Sequence, residues 1–304
     1  GGAGGGMIDA GPPDAGPVNT CDAGLCYVRN YDIPRKFMYS ISAAAPNAVY
    51  AGGQGGTVVR WDGTTFSPSI TPANVLEVWS VSGTSATNAW ASATSGKTNR
   101  WDGTAWVPEP NLASNRAMYG IVAFPGGGAY GITTYGELLV RDGGWTHALA
   151  PLPAQDTLND IHACTPEEAW IVGDSPGTIF YFNADAGTLI PEYPGLAGTP
   201  LDGVYCHPDA GVWAVGAGTT VLRRDSAGQW TQYPVPGLSS YLHSIWISPA
   251  GEPWIAGSAR TLARLTPEDG GYVAYNVPPY DLSNITDVSG TGDQLWLIGN
   301  YALP

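Results

Sequence analysis

Short apolar runs broken by Gly, Ser, Thr and Asn fill this chain, and no segment keeps the sustained period of about 3.6 residues that an amphipathic helix needs. The stretch from Leu76 to Pro110 is representative. It holds four extended segments, Val78 to Ser82, Ala89 to Ala93, Thr98 to Asp102 and Thr104 to Pro108, separated by turn residues, and predicts four short strands. Variants of it recur along the chain. In the second strand of each copy an aromatic residue is followed, in most copies, by two small or apolar residues and a Gly. These anchors are Tyr50, Trp90, Tyr130, Trp170, Trp213, Trp254 and Trp296, spaced about 40 to 43 residues apart. Nine residues before the anchor stands a β-branched residue of the first strand: Ile41, Val81, Ile121, Ile161, Val204 and Ile245. In the last copy Val288 precedes Trp296 by eight.

A period of this length with four strands per unit predicts the blades of a β-propeller. The segment Cys26 to Pro34 reads as a fourth strand without its first three. The last copy has the complementary shortage: Ile285 to Gly290 and Leu295 to Gly299 supply two strands, with Tyr301 to Pro304 left for a third. Joining the fragments would complete a blade and remove open sheet edges. The expectation is therefore an all-β fold, a seven-bladed β-propeller of four-stranded antiparallel blades over residues 26–304, its last blade closed by the N-terminal strand. Residues 1–25, with repeated Asp-Ala-Gly-Pro and few apolar side chains, read as a flexible tether.

Composition sharpens this picture in three places. At 304 residues the chain is long enough to bury roughly 75% of its unfolded surface without metal support. A formal net charge of −14, with Lys36 and Lys97 as the only lysines, repels phosphate backbones and anionic lipid surfaces, so nucleic-acid binding is not expected. No apolar run approaches about 18 residues, so no transmembrane helix is expected. The chain starts at Gly1 without a signal peptide, which reads as a processed product or one whose leader has been removed.

The four cysteines show no CxxC and no zinc spacing. Cys164 and Cys206 fall at nearly equivalent places, just after the first strand of consecutive repeats, which predicts an inter-blade disulfide. Cys21 and Cys26 would close a small loop. In the chain-entropy model the two bridges contribute about 4 and about 2 kcal/mol. Four free thiols are the alternative.

The turn between third and fourth strands reads RWDGTTF from Arg60, RWDGTAW from Arg100 and VRDGGW from Val140, with looser copies at Asn183, Arg223 and Pro267. Asp then Gly suits a tight hairpin in which the carboxylate accepts backbone N–H groups and Gly takes positive φ. These turns resemble the Asp-box (BNR) repeats of sialidase-like and photosystem II assembly-factor-like propellers, and the repeats of bacterial surface-lipoprotein propellers. The resemblance covers residues 26–304. Most copies lack the leading Ser or Thr and are shorter than a full Asp-box. The lipoprotein likeness implies an extracellular or outer-surface location and a lipid anchor upstream of Gly1. Sialidase activity is not implied, because Arg60, Arg100 and Arg141 fall on third strands, away from the axis, and no Tyr/Glu nucleophile pair can be assigned. One carboxylate per hairpin falls short of the ~6 to 8 oxygens that calcium takes. His147, His162, His207 and His243 fall at non-equivalent places, so neither metal nor other cofactor is expected. The Gly52 to Gly56 run opens a strand and offers no helix N-terminus to a phosphate.

One constellation carries a functional expectation. The residue two before each β-branched position stands where the chain passes into the innermost strand. Around the ring this position reads Tyr39, Trp79, Tyr119, Asn159, Asp202, His243 and Thr286, and the neighbouring second-to-third loops offer Gln54, Lys97, Tyr135, Asp174 and Arg260. Aromatic rings beside Asn, Asp and His suit stacking on a sugar or gripping a partner loop. The same rings could instead plug the axis or pack between blades. The leading expectation is a non-enzymatic binding or scaffold propeller that recognises a protein or carbohydrate through this face. A glycan-active lyase or glycosidase using Asp202, Asp160, His243 and Tyr39, and a structural subunit of an extracellular appendage, are the alternatives.

Overall fold

The computed structural model describes residues 5–9, 19–22, 25–29 and 36–301, except 71–75, 111–115, 148–156, 175–178, 193–194, 196–198, 239–240, 269–270 and 277–281. Six four-stranded antiparallel sheets follow one another, each a meander from the axis outwards. Blade 1 comprises Met38–Ala45, Ala48–Gly53, Thr57–Trp61 and Phe66–Ile70. Blades 2 to 6 start with inner strands Val78–Ser85, Met118–Ala123, Leu158–Thr165, Leu201–His207 and Leu242–Ile247. The β-propeller architecture follows from this order.

The expectation of seven such blades is wrong: there are six. The remaining sector is a five-stranded mixed sheet, here called the closing sheet, in the order Leu282–Thr291, Gln294–Tyr301, Gly5–Asp9, Leu25–Arg29, Asn19–Asp22. Leu25–Arg29 does lie fourth from the axis, as Cys26 to Pro34 suggested. The third place, however, belongs to Gly5–Asp9, which runs parallel to Gln294–Tyr301, with Gly6 opposite Trp296 and Met7 opposite Leu297. It is parallel to Leu25–Arg29 as well. A free sheet edge offers N–H and C=O groups to a strand of either direction. Two strands therefore lie inside the segment expected to be a tether. Cys21 and Cys26 are cross-strand partners, and the disulfide expected between them lies outside the described residues, because their side chains are not described.

Each blade buries its apolar faces against the next. Trp170, Val172 and Ile179 of blade 4 pack with Leu201, Val204 and Leu222 of blade 5, and Trp296 and Ile298 of the closing sheet pack with Ile41, Val59 and Phe66 of blade 1. The anchor aromatics do this work: Tyr50 meets Trp106, Trp90 meets Trp145, Trp170 meets Trp230, and Trp296 meets Phe66 edge-on, which closes the ring. Cys164 and Cys206 form the predicted bridge between blades 4 and 5, with Cα atoms 5.2 Å apart.

A feature repeated in every inner strand positions the channel mouth. Met38 and Ser40 face consecutive partners, Gly53 and Gly52, so Tyr39 is an extra residue without a partner: a β-bulge. The same register shift skips Trp79, Tyr119, Asn159, Asp202, His243 and, in the closing sheet, Thr286. The bulge brings backbone close to the second strand; three residues after the anchor blades 2 and 3 carry Ala93 and Thr133, but the other sectors carry Gly at a tight approach. A Cβ at Gly216 would stand 2.2 Å from the Pro200 carbonyl oxygen, and one at Gly173 would stand 2.4 Å from that of Thr157.

Gly216→Ala is expected to cost about 1–3 kcal/mol. It should lower the urea midpoint with an unchanged m-value; a midpoint equal to that of the parent would mean that the bulge does not need the glycine.

Candidate functional site

In a regular strand successive side chains alternate faces. The bulge breaks this alternation, so two consecutive residues of an inner strand reach the axis. Tyr39 and Ser40, Trp79 and Ser80, Asn159 and Asp160, His243 and Ser244, and Thr286 and Asp287 all line one cavity of about 330 Å³, together with Tyr119 and Asp202. All seven positions read from the sequence as the mouth are thus brought together. Tyr135 and Arg260 are not among the lining. Tyr135 is 47% exposed and stacks under the Arg116 guanidinium at 4.5 Å. Arg260 is exposed on a turn of positive φ, its backbone N–H donating to the Ser283 carbonyl at 3.0 Å.

The lining divides into two arcs. Over blades 1 to 3, Tyr39 and Trp79 stand 4.8 Å apart and Trp79 and Tyr119 5.0 Å apart, centroid to centroid, in tilted contact. Burial, together with a hydrogen bond and proximity to Glu77, pushes the Tyr39 hydroxyl up to about 12, so it stays protonated. Over blades 4 to 6 lies a polar network. Asn159 Nδ2 donates to Asp174 Oδ1 at 2.7 Å and to the Leu201 carbonyl at 3.0 Å, and approaches Asp202 Oδ1 at 3.4 Å. The Tyr241 hydroxyl donates to Asp202 Oδ1 at 3.2 Å. His243 Nδ1 lies 3.4 Å from Asp202 Oδ2, and its Nε2 lies 2.9 Å from Ser258 Oγ.

Beneath the mouth two carboxylates face the channel. Asp160 Oδ1 accepts the Ile161 N–H at 2.8 Å and its Oδ2 the Val204 N–H of blade 5 at 2.9 Å. Asp287 Oδ2 accepts the Ile41 N–H of blade 1 at 2.7 Å, and its Oδ1 accepts the Val288 N–H at 2.8 Å and the Ser244 hydroxyl at 2.5 Å. Desolvation raises Asp160 from 3.8 to about 7, against the pull of its N–H donors and with a further push from Asp287. Desolvation likewise raises Asp287 to about 6. Both show part of their surface to the channel, but that space is narrow and walled by protein, so the upward direction holds. His162, one tier lower, is pushed down to about 4 by burial; neutral, it accepts the Cys206 N–H at Nδ1, 3.2 Å away.

The recurrent hairpins are built as their residues suggest. Asp62 Oδ1 accepts the Thr64 and Thr65 N–H groups, each at 2.8 Å, with Gly63 at φ 100°; Asp102 repeats this on Thr104 and Ala105. These hydrogen bonds hold both carboxyls below their usual range. The arginines of the third strands lie between blades: Arg60 over Trp101 at 5.6 Å, Arg141 over Trp90 at 5.2 Å and paired with Glu109 at 3.0 Å.

Ser258, Tyr241, Ser244 and Asp287 escaped the sequence reading. For the last two a signal existed. The residue after each mouth position is Ser40, Ser80, Gly120, Asp160, Gly203, Ser244 or Asp287, always small or a hydrogen-bond acceptor.

No protein-family model matches the chain, and no curated protein matches it. Among solved structures it resembles a catalytically inactive virginiamycin B lyase from Staphylococcus aureus with quinupristin (TM-score 0.77, 15% identity, covering 88% of this chain and 94% of that one). It also resembles YCF48 bound to D1 peptide (TM-score 0.70, 18% identity, 90% and 95% covered) and the WD40 β-propeller domain of Doa1 (TM-score 0.67, 15% identity, 83% and 86% covered). At these identities the likeness establishes the propeller fold. Propellers of this shape thus include both a lyase and a protein bound to a peptide.

The raised carboxyls have a consequence for stability. Below about 3.8 both are protonated folded and unfolded; above it the unfolded chain ionises freely while the folded one must hold its protons, so their contribution is lost as pH rises through about 6 to 7. The melting temperature is expected to fall between about pH 4 and pH 7, and Asp287→Asn to flatten that slope. An equal slope in the variant would refute the assignment.

Proposed function

We propose that this chain is a non-enzymatic binding propeller, extracellular or tethered at the outer cell surface, that recognises a protein or carbohydrate through the channel-mouth face. The observation that carries this reading is the mouth itself: a continuous aromatic arc, Tyr39–Trp79–Tyr119, set across about 330 Å³ from the fixed polar arc Asn159–Asp202–His243. Rings give contact area at small entropic cost, and side chains already locked by neighbours give orientation without further ordering. The neighbour YCF48 is bound to a peptide, which supports a protein partner. The likeness of the repeats to those of bacterial surface-lipoprotein propellers, and the Gly/Asp/Ala/Pro-rich composition of residues 1–25, support the surface location. A glycan array combined with protein pull-down tests the proposal. Trp79→Ala and Tyr119→Ala are each expected to weaken capture at least about tenfold, and unchanged capture in both would remove the face from the function.

A second reading, a glycan-active enzyme, has one observation in its favour. His243 is held between Asp202 and Ser258 at the mouth, as a base held by an orienting carboxylate would be. Asp160 fits this reading less well, because both its oxygens are occupied by backbone N–H groups. Polysaccharide turnover that disappears in Asp202→Asn would replace the binding reading with this one; no turnover across a polysaccharide panel leaves binding as the function.

A further inference from the structure

The charge of the mouth narrows its ligand. The cavity is lined by three rings and by Asp160, Asp202 and Asp287, without a single Lys or Arg. The channel space beneath it, about 290 Å³, is lined by Asp160 and Asp287 again and likewise by no Lys or Arg. The cations of the same face are engaged elsewhere or lie outside the lining. Lys36 Nζ donates to Thr57 Oγ1 at 2.9 Å, Arg116 pairs with Glu137 at 3.1 Å, and Lys97 and Arg260 do not line the cavity. His162 is held neutral. Two buried carboxyls thus share an axial space without Lys or Arg, whose only imidazoles are the neutral His162, and His243, the latter set against Asp202 and Ser258.

What those carboxylates still offer decides between ligand classes. Their oxygens are already acceptors: Asp160 for two backbone N–H groups, Asp287 for two backbone N–H groups and a hydroxyl, Asp202 for the Tyr241 hydroxyl, with Asn159 and His243 beside it. A neutral polyol needs free, directional partners for its hydroxyls and finds few here. A cation gains from the field of the carboxylates as well as from the lone pairs their oxygens keep, and that field is concentrated by the low-dielectric walls of a cleft whose formal charges are carboxylates. The aromatic arc lines the same cavity, and aromatic rings attract cations through their quadrupoles. Elsewhere in this fold the same contact is used in packing, with Arg224 over Trp170 at 4.9 Å. The cavity stands at the lower end of the ~300–1,000 Å³ range of ligand pockets, a size for one side chain and not for a long glycan.

We infer that the channel mouth receives a basic side chain, the guanidinium or ammonium group of an arginine or lysine projected by a protein partner, seated against the Tyr39–Trp79–Tyr119 arc and facing Asp160, Asp202 and Asp287. The inference rests on the binding face proposed above and specifies its ligand. Net charge of −14 favours the approach of such a partner over long range.

The test titrates the intact protein with N-acetyl-arginine amide and with its neutral isostere N-acetyl-citrulline amide, following the Trp79 indole resonance by NMR. The arginine compound is expected to bind at least about tenfold more tightly. Trp79→Leu, which keeps apolar bulk and removes the large ring, and Asp202→Asn, which removes one charge without changing shape, should each reduce that preference. Equal affinity for the two compounds, or no response to the arginine compound at millimolar concentration, overturns the inference. The outcomes separate from those of the preceding proposal: citrulline amide binding that Trp79→Leu abolishes keeps the face and refutes its cationic ligand. Neutral glycans or acidic peptides captured through the same face would do likewise.

Discussion

The interaction on which the rest depends is the hydrogen bond between neighbouring inner strands. Stacking sheets around an axis leaves the axial edge of each inner strand unpaired, and an unpaired edge in a confined space is costly. This chain satisfies it with side chains one blade back. Ser40 Oγ accepts the Val81 N–H at 3.2 Å, Ser80 Oγ that of Ile121 at 3.3 Å, and Ser244 Oγ that of Val288 at 3.3 Å, while Asp160 and Asp287 serve Val204 and Ile41. A second tier lies two residues on, where Ser42, Ser82 and Ser289 accept from Gly83, Ala123 and Ala43, each at 3.0 Å, and His162 accepts from Cys206. The bulge makes the first tier possible, since it turns the residue after the mouth position toward the next blade.

This girdle explains why the closing sector tolerates an irregular sheet. The contacts that complete the ring come from its two axial strands: Asp287 and Ser289 bond blade 1, and Trp296 packs on Trp61 and Phe66. Farther out the sheet needs only a strand that covers the edge of Gln294–Tyr301, and a parallel one does so. It also accounts for the buried carboxyls. An Asp reaches both its own following N–H and that of the next blade, whereas the single oxygen of Ser40, Ser80 or Ser244 serves the next blade. The cost is the desolvation that raises Asp160 and Asp287, and it falls in the channel, beside the cavity where charge is of use.

What was legible in the sequence was whatever the repeat fixes locally. The nine-residue interval from Ile41 to Tyr50 spans one hairpin, so it located both the core position and the mouth residue two places before it. The shorter interval from Val288 to Trp296 is also local: blade 1 carries an extra, unpaired residue at Ala44 before its turn, and the closing hairpin runs from Ser289 opposite Trp296 to Thr291 opposite Gln294 without one. The pairing of Gly5–Asp9 was not legible. Main-chain bonds to a free edge carry no side-chain code, and a Gly-rich strand lacks the alternation by which strands are recognised. Ser258 was missed for a related reason: its partner His243 belongs to a different strand of the same blade, and one Ser among many carries no signal without geometry. Tyr135 and Arg260 were placed on the correct face but outside the cavity, because loop residues, unlike bulge residues, have no fixed direction relative to the axis.

The contrast between adjacent positions of the inner strand has a mechanical cause. At the β-branched position the repeats differ little, Ile or Val throughout, because that side chain packs between two blades and its volume is set by both. Two residues earlier they differ as widely as Trp, Asn, Asp, His and Thr. A bulge residue has no cross-strand partner, so strand register does not constrain its identity. The backbone thus presents seven side chains of varied chemistry around one axis, constrained chiefly by their neighbours at the mouth. The division into an aromatic arc, whose rings pack on one another, and a polar arc is therefore not dictated by strand register, and the binding face proposed above accounts for it.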